Sequence, residues 1–409
     1  MNFNVKHTAF RFAKKQILLM KTRIITYLKH VIGTFISLLV IGLLVLLSLN
    51  GSIGGSLDSK AKELHNEGPY VFLENDSTAL INYLEGNKTD GFRCSTQRVA
   101  LKDRQALSCY FALESSTFNF TLENLPAVPP ASYTDQEPIL AISDIESGFQ
   151  TFRDFLIAHG VINKQLQWTF GKGHLVLVGD FMDRGNSAMQ VLWFIYKLEQ
   201  EAQKLGGQVH FILGNHELKN LAGNYLAASK KYLGVATILE INPGLLWGKN
   251  SFLGQWLATK NSIERINGTL FTHGGMHPDI TPYNLELSTI NNIARDNYFQ
   301  GYYPRTTKGA SDFINSTKTG ISWYRGYFKS DFQPEKLGPM LQKYQANQIV
   351  VGHTIQRRVQ KLYDGQVYAI DVKHPKDYQS NWPSKSSEGL LIKDGQFFRA
   401  FSDGTLEAL

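Results

Sequence analysis

The sequence predicts an α/β protein whose reactive residues gather along one sheet edge, with a β-rich region ahead of it and an apolar helix at the N-terminus. Three observations carry this reading. First, five short apolar runs stop and hand over at once to Asp, Asn or His. Pro138-Ile-Leu-Ala-Ile leads to Asp144 and Glu146, His174-Leu-Val-Leu-Val to Asp180 and Asp183, and Val209-His-Phe-Ile-Leu to Asn215 and His216. Thr269-Leu-Phe-Thr leads to His273, and Gln348-Ile-Val-Val-Gly to His353. Such runs read as buried strands, and α/β sheets carry their sites just beyond strand ends. Second, segments with helical spacing lie between the runs. Third, residues 31–49 are 19 apolar or small residues without a charge, enough at about 1.5 Å per residue to cross a roughly 30 Å hydrocarbon core.

Residues 1–30 form a basic leader, expected in the cytoplasm. Seven of the 42 Lys and Arg lie there and no Asp or Glu precedes Asp58, so the 35 basic and 35 acidic residues that follow are balanced. The net charge of +7 is therefore a property of the tail. That removes the usual motive for nucleic-acid binding. All positive charge flanking residues 31–49 is on their N-terminal side, which orients them as a transmembrane anchor with the rest of the chain extracytoplasmic, in the periplasm. Cleavage as a signal peptide after the small residues at Ser52-Ile-Gly54 is the alternative.

A Gly/Ser-rich tether is expected at 50–57 and a β-rich accessory region at 58–133, with strand-like pieces at Tyr70-Val-Phe-Leu, Tyr110-Phe-Ala-Leu and Phe118-Asn-Phe-Thr-Leu. The chain has two cysteines, Cys94 and Cys109. In an oxidising compartment a disulfide between them is the simplest reading, and two unrelated thiols the other. The catalytic region is expected over 134–409. Helical spacing places helices over 149–160 and 187–205, the latter amphipathic, and over 218–231 and 282–297. The end of the chain reads as strands joined by turns at Asp364-Gly365 and Asp394-Gly395.

The ligand types define the chemistry. Two divalent ions about 3.5–4 Å apart need a shared carboxylate between them. Asp180 sits at a strand tip behind Gly179, which permits a sharp turn. Asp144 and Glu146 can serve one ion with Asp180, and Asn215, His273 and His353 the other. Mixed oxygen and nitrogen donors suit Mn, Fe or Zn better than Mg. A water held by such a pair is acidified to hydroxide near neutral pH and can attack phosphorus without a protein nucleophile. His216, next to Asn215, can protonate the leaving oxygen, with Asp183 orienting it. Arg184 and Arg325 offer forks for phosphate oxygens, and Asn215 can touch phosphate as well. His159, His174 and His210 read as core histidines.

Ser143-Asp-Ile-Glu, Gly179-Asp-Phe-Met-Asp-Arg-Gly, Gly214-Asn-His-Glu, His273-Gly-Gly and Gly352-His-Thr together resemble the calcineurin-like metallophosphoesterase superfamily. The Asp-Arg-Gly and His-Gly-Gly forms resemble its phosphoprotein phosphatase branch, and Trp323-Tyr-Arg-Gly is similar to the bacterial Shewanella-like phosphatases. The resemblance implies a four-layer α/β/β/α sandwich and a dinuclear phosphomonoesterase acting on phosphoproteins, at Ser/Thr or Tyr, or on small phosphate esters. It departs at Glu146, where most of the superfamily has His; a carboxylate there adds negative charge and a harder ligand. A nucleotide phosphoesterase, such as a dinucleoside polyphosphate hydrolase, shares these motifs and should carry extra basic residues in its cleft. A non-catalytic surface binding protein is the alternative of another class.

Overall fold

The structure is a computed structural model that describes residues 3–48, 53–56, 64–306, 308–382 and 386–409. The chain divides into two compact units, residues 1–53 and 54–409. Among the described residues the first holds one helix, Phe3–Ser48, which runs without a break from the basic leader into the apolar run. Its Lys14–Ser48 stretch is long and apolar enough to cross a membrane. The expected tether at 50–57 lies outside the described residues except for Ile53–Ser56, a short strand.

In the second unit, among the described residues, two six-stranded sheets stand back to back. The first runs in the order Gln208–Ile212, His174–Val178, Ile139–Ile142, Glu388–Lys393, Gln396–Phe401 and Leu406–Ala408. Its first three strands are parallel and the rest antiparallel. The second runs Gln360–Leu362, Val367–Ala369, Gln348–Val351, Thr269–Thr272, Ile263–Ile266 and Ser132–Tyr133. Thr269–Thr272, Gln348–Val351 and Val367–Ala369 are mutually parallel. Alternation along each strand divides the core in two. Ile139, Ala141, Val176, Val178, Phe271 and Val350 belong to a cluster between the sheets. Leu140, Ile142, Leu175, Leu177, Leu270 and Ile349 face outward into a larger cluster with the helices. With both faces covered, such strands read as unbroken apolar runs, which is why they were legible in the sequence.

The helix Ala188–Lys204 departs from the amphipathic expectation. Every residue from Ala188 to Leu198 is buried, because the accessory region covers the side that would otherwise face water. Trp193 Nε1 donates to Pro69 O at 2.9 Å, Phe120 stacks on Trp193 at 4.6 Å, and Gln190 Nε2 donates to Tyr110 O at 2.8 Å. The accessory region is a three-stranded antiparallel sheet, Glu67–Asn75, Thr78–Asn87 and Gly91–Ala100, with a hairpin of Ala106–Phe111 and Ser116–Thr121. Ser132–Tyr133, assigned from sequence to this region, instead pairs with Arg265–Ile266 in the second large sheet.

The expected disulfide does not form: Cys94 and Cys109 are both free. Cys94 lies on the outer, solvent-facing Gly91–Ala100 strand opposite Leu84, whereas Cys109 points into the core from a different sheet, opposite Phe118. Burial pushes the Cys109 thiol well above its usual range, with Glu67 adding to it.

Two expected helices are also corrected. Over 218–231 the chain forms two helices, Asn215–Leu221 and Lys230–Ile238. Gly223, at φ 79°, turns the chain out of the first, and Ser229 caps the second through Lys231 N. Over 282–297 a 3-10 turn, Pro278–Tyr283, is separated from the helix Leu287–Arg295 by Asn284 in a left-handed conformation.

Candidate metal and phosphate site

The loops leaving the parallel strands are laced to one another. Asp144 N donates to Gly179 O at 2.9 Å and Glu146 N to Asp180 O at 3.0 Å, so the loop after Ile139–Ile142 rides on the loop after His174–Val178. The close approach needs glycine. A Cβ on Gly179 would stand 2.6 Å from both Gly214 Cα and His273 Nδ1, and one on Gly214 would stand 2.3 Å from Asp180 Oδ1. Asp144, Glu146, Asp180, Asp183, Arg184 and His353 all have positive φ, between 48° and 65°. Non-glycine residues rarely sit there, and such strain collects where a site must aim its side chains.

Asp180, His273 and His353 come together, their ligand atoms all within 4.8 Å of one another. Asp180 Oδ2 lies 3.1 Å from His273 Nε2, and Asn215 Oδ1 lies 3.2 Å from the same nitrogen. His273 Nδ1 is 2.7 Å from Val178 O. With Nδ1 directed at that carbonyl, Nε2 is the ring nitrogen that faces Asp180 and Asn215. Asp144 joins through its Oδ2, which accepts from His353 N at 3.1 Å. Glu146 faces another way: its two oxygens contact Arg184 Nη1 and Lys376 Nζ. His216 Nδ1 is 2.7 Å from Asp183 Oδ2, and its Nε2 is 3.1 Å from Arg184 Nη2. Asn220, one helical turn on, donates to Asp183 Oδ1 at 2.9 Å. Arg325 Nη1 reaches His353 O, and Thr354 Oγ1 at 3.2 Å.

The electrostatics follow from burial among opposite charges. Burial alone would raise the Asp180 carboxyl, but the charge and hydrogen bond of His273, with His216 and His353 behind, hold it well below the usual range. Burial would lower His273; Asp180 and then Asp144 overcome it and push the imidazole up to about 9. His353 is pushed down to about 2 by burial and by His273. Asp144 is raised by burial and by Asp371. One imidazole favouring a proton beside another that refuses one, around a low-lying carboxylate, is the imprint of a position that attracts positive charge.

The segment Asp371–Tyr378 was missed in the sequence. Asp371 is buried and lines the cleft, raised to about 8 by burial and by Asp180 and Glu146. His374 Nε2 is 2.9 Å from Ser143 O. Asp377 accepts from Phe149 N at 2.9 Å and Gln150 N at 3.1 Å. The signal was present: Val367-Tyr-Ala-Ile leading to Asp371 repeats the apolar-run-then-ligand pattern of the other five.

A cleft of about 670 Å³ opens over these groups. Five lysines line it, Lys219, Lys318, Lys329, Lys373 and Lys376, together with Arg184 and Arg325. The charge balance of residues 58–409 concealed this, because a total carries no information on placement.

Sheets that deliver carboxylates, histidines and paired arginines to one rim define a phosphoesterase. The calcineurin-like phosphoesterase pattern matches residues 137–357, just over half of the chain, and the chain belongs to that family. It is a metallophosphoesterase, a hydrolase. A solved structure, the cold-active protein-tyrosine phosphatase of a psychrophilic Shewanella species, is similar with a TM-score of 0.73 and 30% identity, over 85% of this chain and 100% of that one. Shewanella-like protein phosphatase 1 of Plasmodium berghei is 27% identical over 229 residues, 53% of this chain and 61% of its own. Shewanella-like protein phosphatase 2 of Arabidopsis thaliana is 35% identical over 97 residues, 24% of this chain and 25% of its own. The chain thus spans less than two thirds of either of these curated relatives. Calcineurin-like phosphoesterases bind divalent metals, and the donors here fit them: a carboxylate, an amide oxygen and two imidazoles, buried and convergent.

Proposed function

We propose that the chain is a metal-dependent phosphomonoesterase that removes phosphate from phosphoproteins, at Ser/Thr or Tyr. In this reading the helix holds it in a membrane through residues 31–49, with the catalytic unit on the periplasmic side, and the two sheets with their outer helices form the four-layer sandwich of the family. The observation that carries it is the placement of His216, held at Nδ1 by Asp183 and facing Arg184 with Nε2, beside the Asp180–His273–His353 group.

Asp180, Asn215, His273 and His353 would hold one ion, and Asp144 and Asp180 the other; Mn, Fe or Zn suits these donors. Glu146 is already paired with Arg184 and Lys376, so its share in the second ion competes with that pairing. The bound ions supply Lewis acidity and neutralise phosphoryl charge. Arg184 and Arg325 orient the phosphoryl oxygens. His216 holds the proton that the leaving oxygen takes, and Asp183 keeps the ring aligned for it.

A nucleotide phosphoesterase, such as a dinucleoside polyphosphate hydrolase, is the second reading, since the five cleft lysines can also receive a polyphosphate. Initial rates on phosphotyrosine and phosphoserine peptides, a nucleoside monophosphate and a dinucleoside tetraphosphate decide between them, with metal content measured on the same sample. Peptide turnover, reduced at least about 100-fold in His216→Asn, is expected. Turnover of nucleotides alone would replace this reading with the second.

A further inference from the structure

The cleft holds more positive charge than one phosphate group uses. Arg184 and Arg325 reach into the site itself. Lys376 is neutralised by Glu146, and Lys219 lies over the Trp323 ring at 5.0 Å. Lys318, Lys329 and Lys373 remain. All three are exposed, and among the described residues none forms an ion pair. They reach the rim from three separate places: beyond the helix Ala310–Asn315, beyond the Trp323–Arg325 segment, and beyond the strand Val367–Ala369. Exposed lysines converging on one cleft, in a unit whose total charge is balanced, are a local field for anions.

We propose that the substrate carries carboxylates beside its scissile phosphate and that Lys318, Lys329 and Lys373 receive them: the substrate class is an acidic phosphopeptide. The inference rests on the phosphatase reading and goes further by setting its sequence preference. The lysines alone would serve a polyphosphate equally well; the aromatic lining separates the two. A nucleobase is held by stacking on an open ring. Trp323 is the one Phe, Tyr or Trp among the described lining residues. One face of it is taken by Lys219 at 5.0 Å, and Tyr303 and His353 approach it edge-on at 5.3 Å and 6.2 Å. The single aromatic ring of the described lining is thus already engaged by three neighbours, and a base would have to compete with Lys219 for it. Ile355, 60% exposed at the rim, offers instead an apolar contact that a peptide side chain can use.

Exposed Lys–carboxylate contacts are individually weak and screened by salt; three together act mainly on capture of the substrate. The test uses the full-length protein in nonionic detergent with Mn(II) added. Its substrates are three phosphotyrosine peptides that differ only in flanks of Asp/Glu, Asn/Gln or Lys. The expected result is a kcat/KM about tenfold higher for the acidic than for the neutral peptide at low salt. The difference should lie in KM and shrink at about 0.3 M salt. In the triple variant Lys318→Ser, Lys329→Ser, Lys373→Ser the ratio should fall to about one, and with Glu at the three positions it should invert. Circular dichroism and melting of the variants check that these surface changes leave the fold intact. Equal kcat/KM on the acidic and neutral peptides, or an unchanged ratio in the triple variant, would overturn the acidic preference while leaving the phosphatase reading in place. A dinucleoside tetraphosphate turned over faster than any peptide, or no peptide turned over at all, would overturn both.

Discussion

Glu217 accepts four backbone N–H groups: Asp180 and Gly214 on one oxygen, at 2.8 and 2.9 Å, and Phe181 and Met182 on the other, at 2.8 and 3.1 Å. It thereby ties together the ends of two neighbouring strands, where Asp180 and Asn215 begin. Burial, then Asp180, raises its carboxyl. Glu217→Gln replaces an acceptor by an amide that points N–H at N–H. The expected cost is about 2–4 kcal/mol of stability, read as a lower Tm, together with reduced metal binding by titration calorimetry. An unchanged Tm and metal stoichiometry would show that the strand ends hold without it. The residue stood inside a motif that was legible, yet its task was not, because its four donors lie on two separate segments. His374 was legible in neither sense. Burial pushes it down to about 4, from about 6.5 in the unfolded chain. Between those values the unfolded chain binds the additional proton, so stability is full above about pH 6.5 and falls toward pH 4, by on the order of 3 kcal/mol. His374→Asn should flatten that acid limb in Tm measured from pH 4 to 7; an unaltered limb would place its origin elsewhere.

Elements were legible where burial on both faces wrote them as unbroken apolar runs, and this includes the five strands that carry the site. The strand Gly91–Ala100 was missed because it is exposed along most of its length and shows no alternation. The start of the helix at Phe149 was legible, but the group that caps it was not. Phe149–Ala158 starts at Gly148 with no side-chain cap of its own, and Asp377 takes its first N–H groups from 228 and 227 residues away, also accepting from Ser187 Oγ at 2.7 Å. Asp377→Ala should therefore cost about 1–2 kcal/mol, as loss of a local cap does, with Asp377→Asn costing less; thermal melts of the two variants check this. Two of the histidines read as core residues, His174 and His210, prove to be part of a bridge between the sheets, whereas His159 Nε2 lies 2.8 Å from Phe401 O. His174 Nδ1 is 2.8 Å from His210 Nε2, His210 Nδ1 is 2.6 Å from Glu264 Oε2, and His174 Nε2 is 2.9 Å from Asp135 Oδ2. Only the packing of one sheet against the other brings these four together, so no spacing along the chain announces them.

On the scale of the whole molecule, length and charge separated an apolar N-terminal segment from a balanced remainder beginning at Asp58; the structure divides into units of 1–53 and 54–409. Every fully buried apolar residue of the two core clusters lies at Tyr70 or beyond, so the second unit contains its own core. Removing residues 1–53 also removes the seven basic residues that give the chain its net charge, leaving 35 of each sign. Residues 54–409 expressed alone should melt within about 2 °C of the full chain, since the buried residues of the two core clusters all lie beyond the deletion. They should also keep the kcat/KM measured on a soluble phosphopeptide. The full chain should sediment with anionic vesicles and the shortened chain should remain in solution, because a single span of this length supplies enough apolar area to hold a protein in a bilayer whereas a balanced surface supplies no comparable attraction. A shortened chain that still sediments with vesicles would move the membrane contact onto the catalytic unit. One that fails to fold would show that the helix contributes to the core after all.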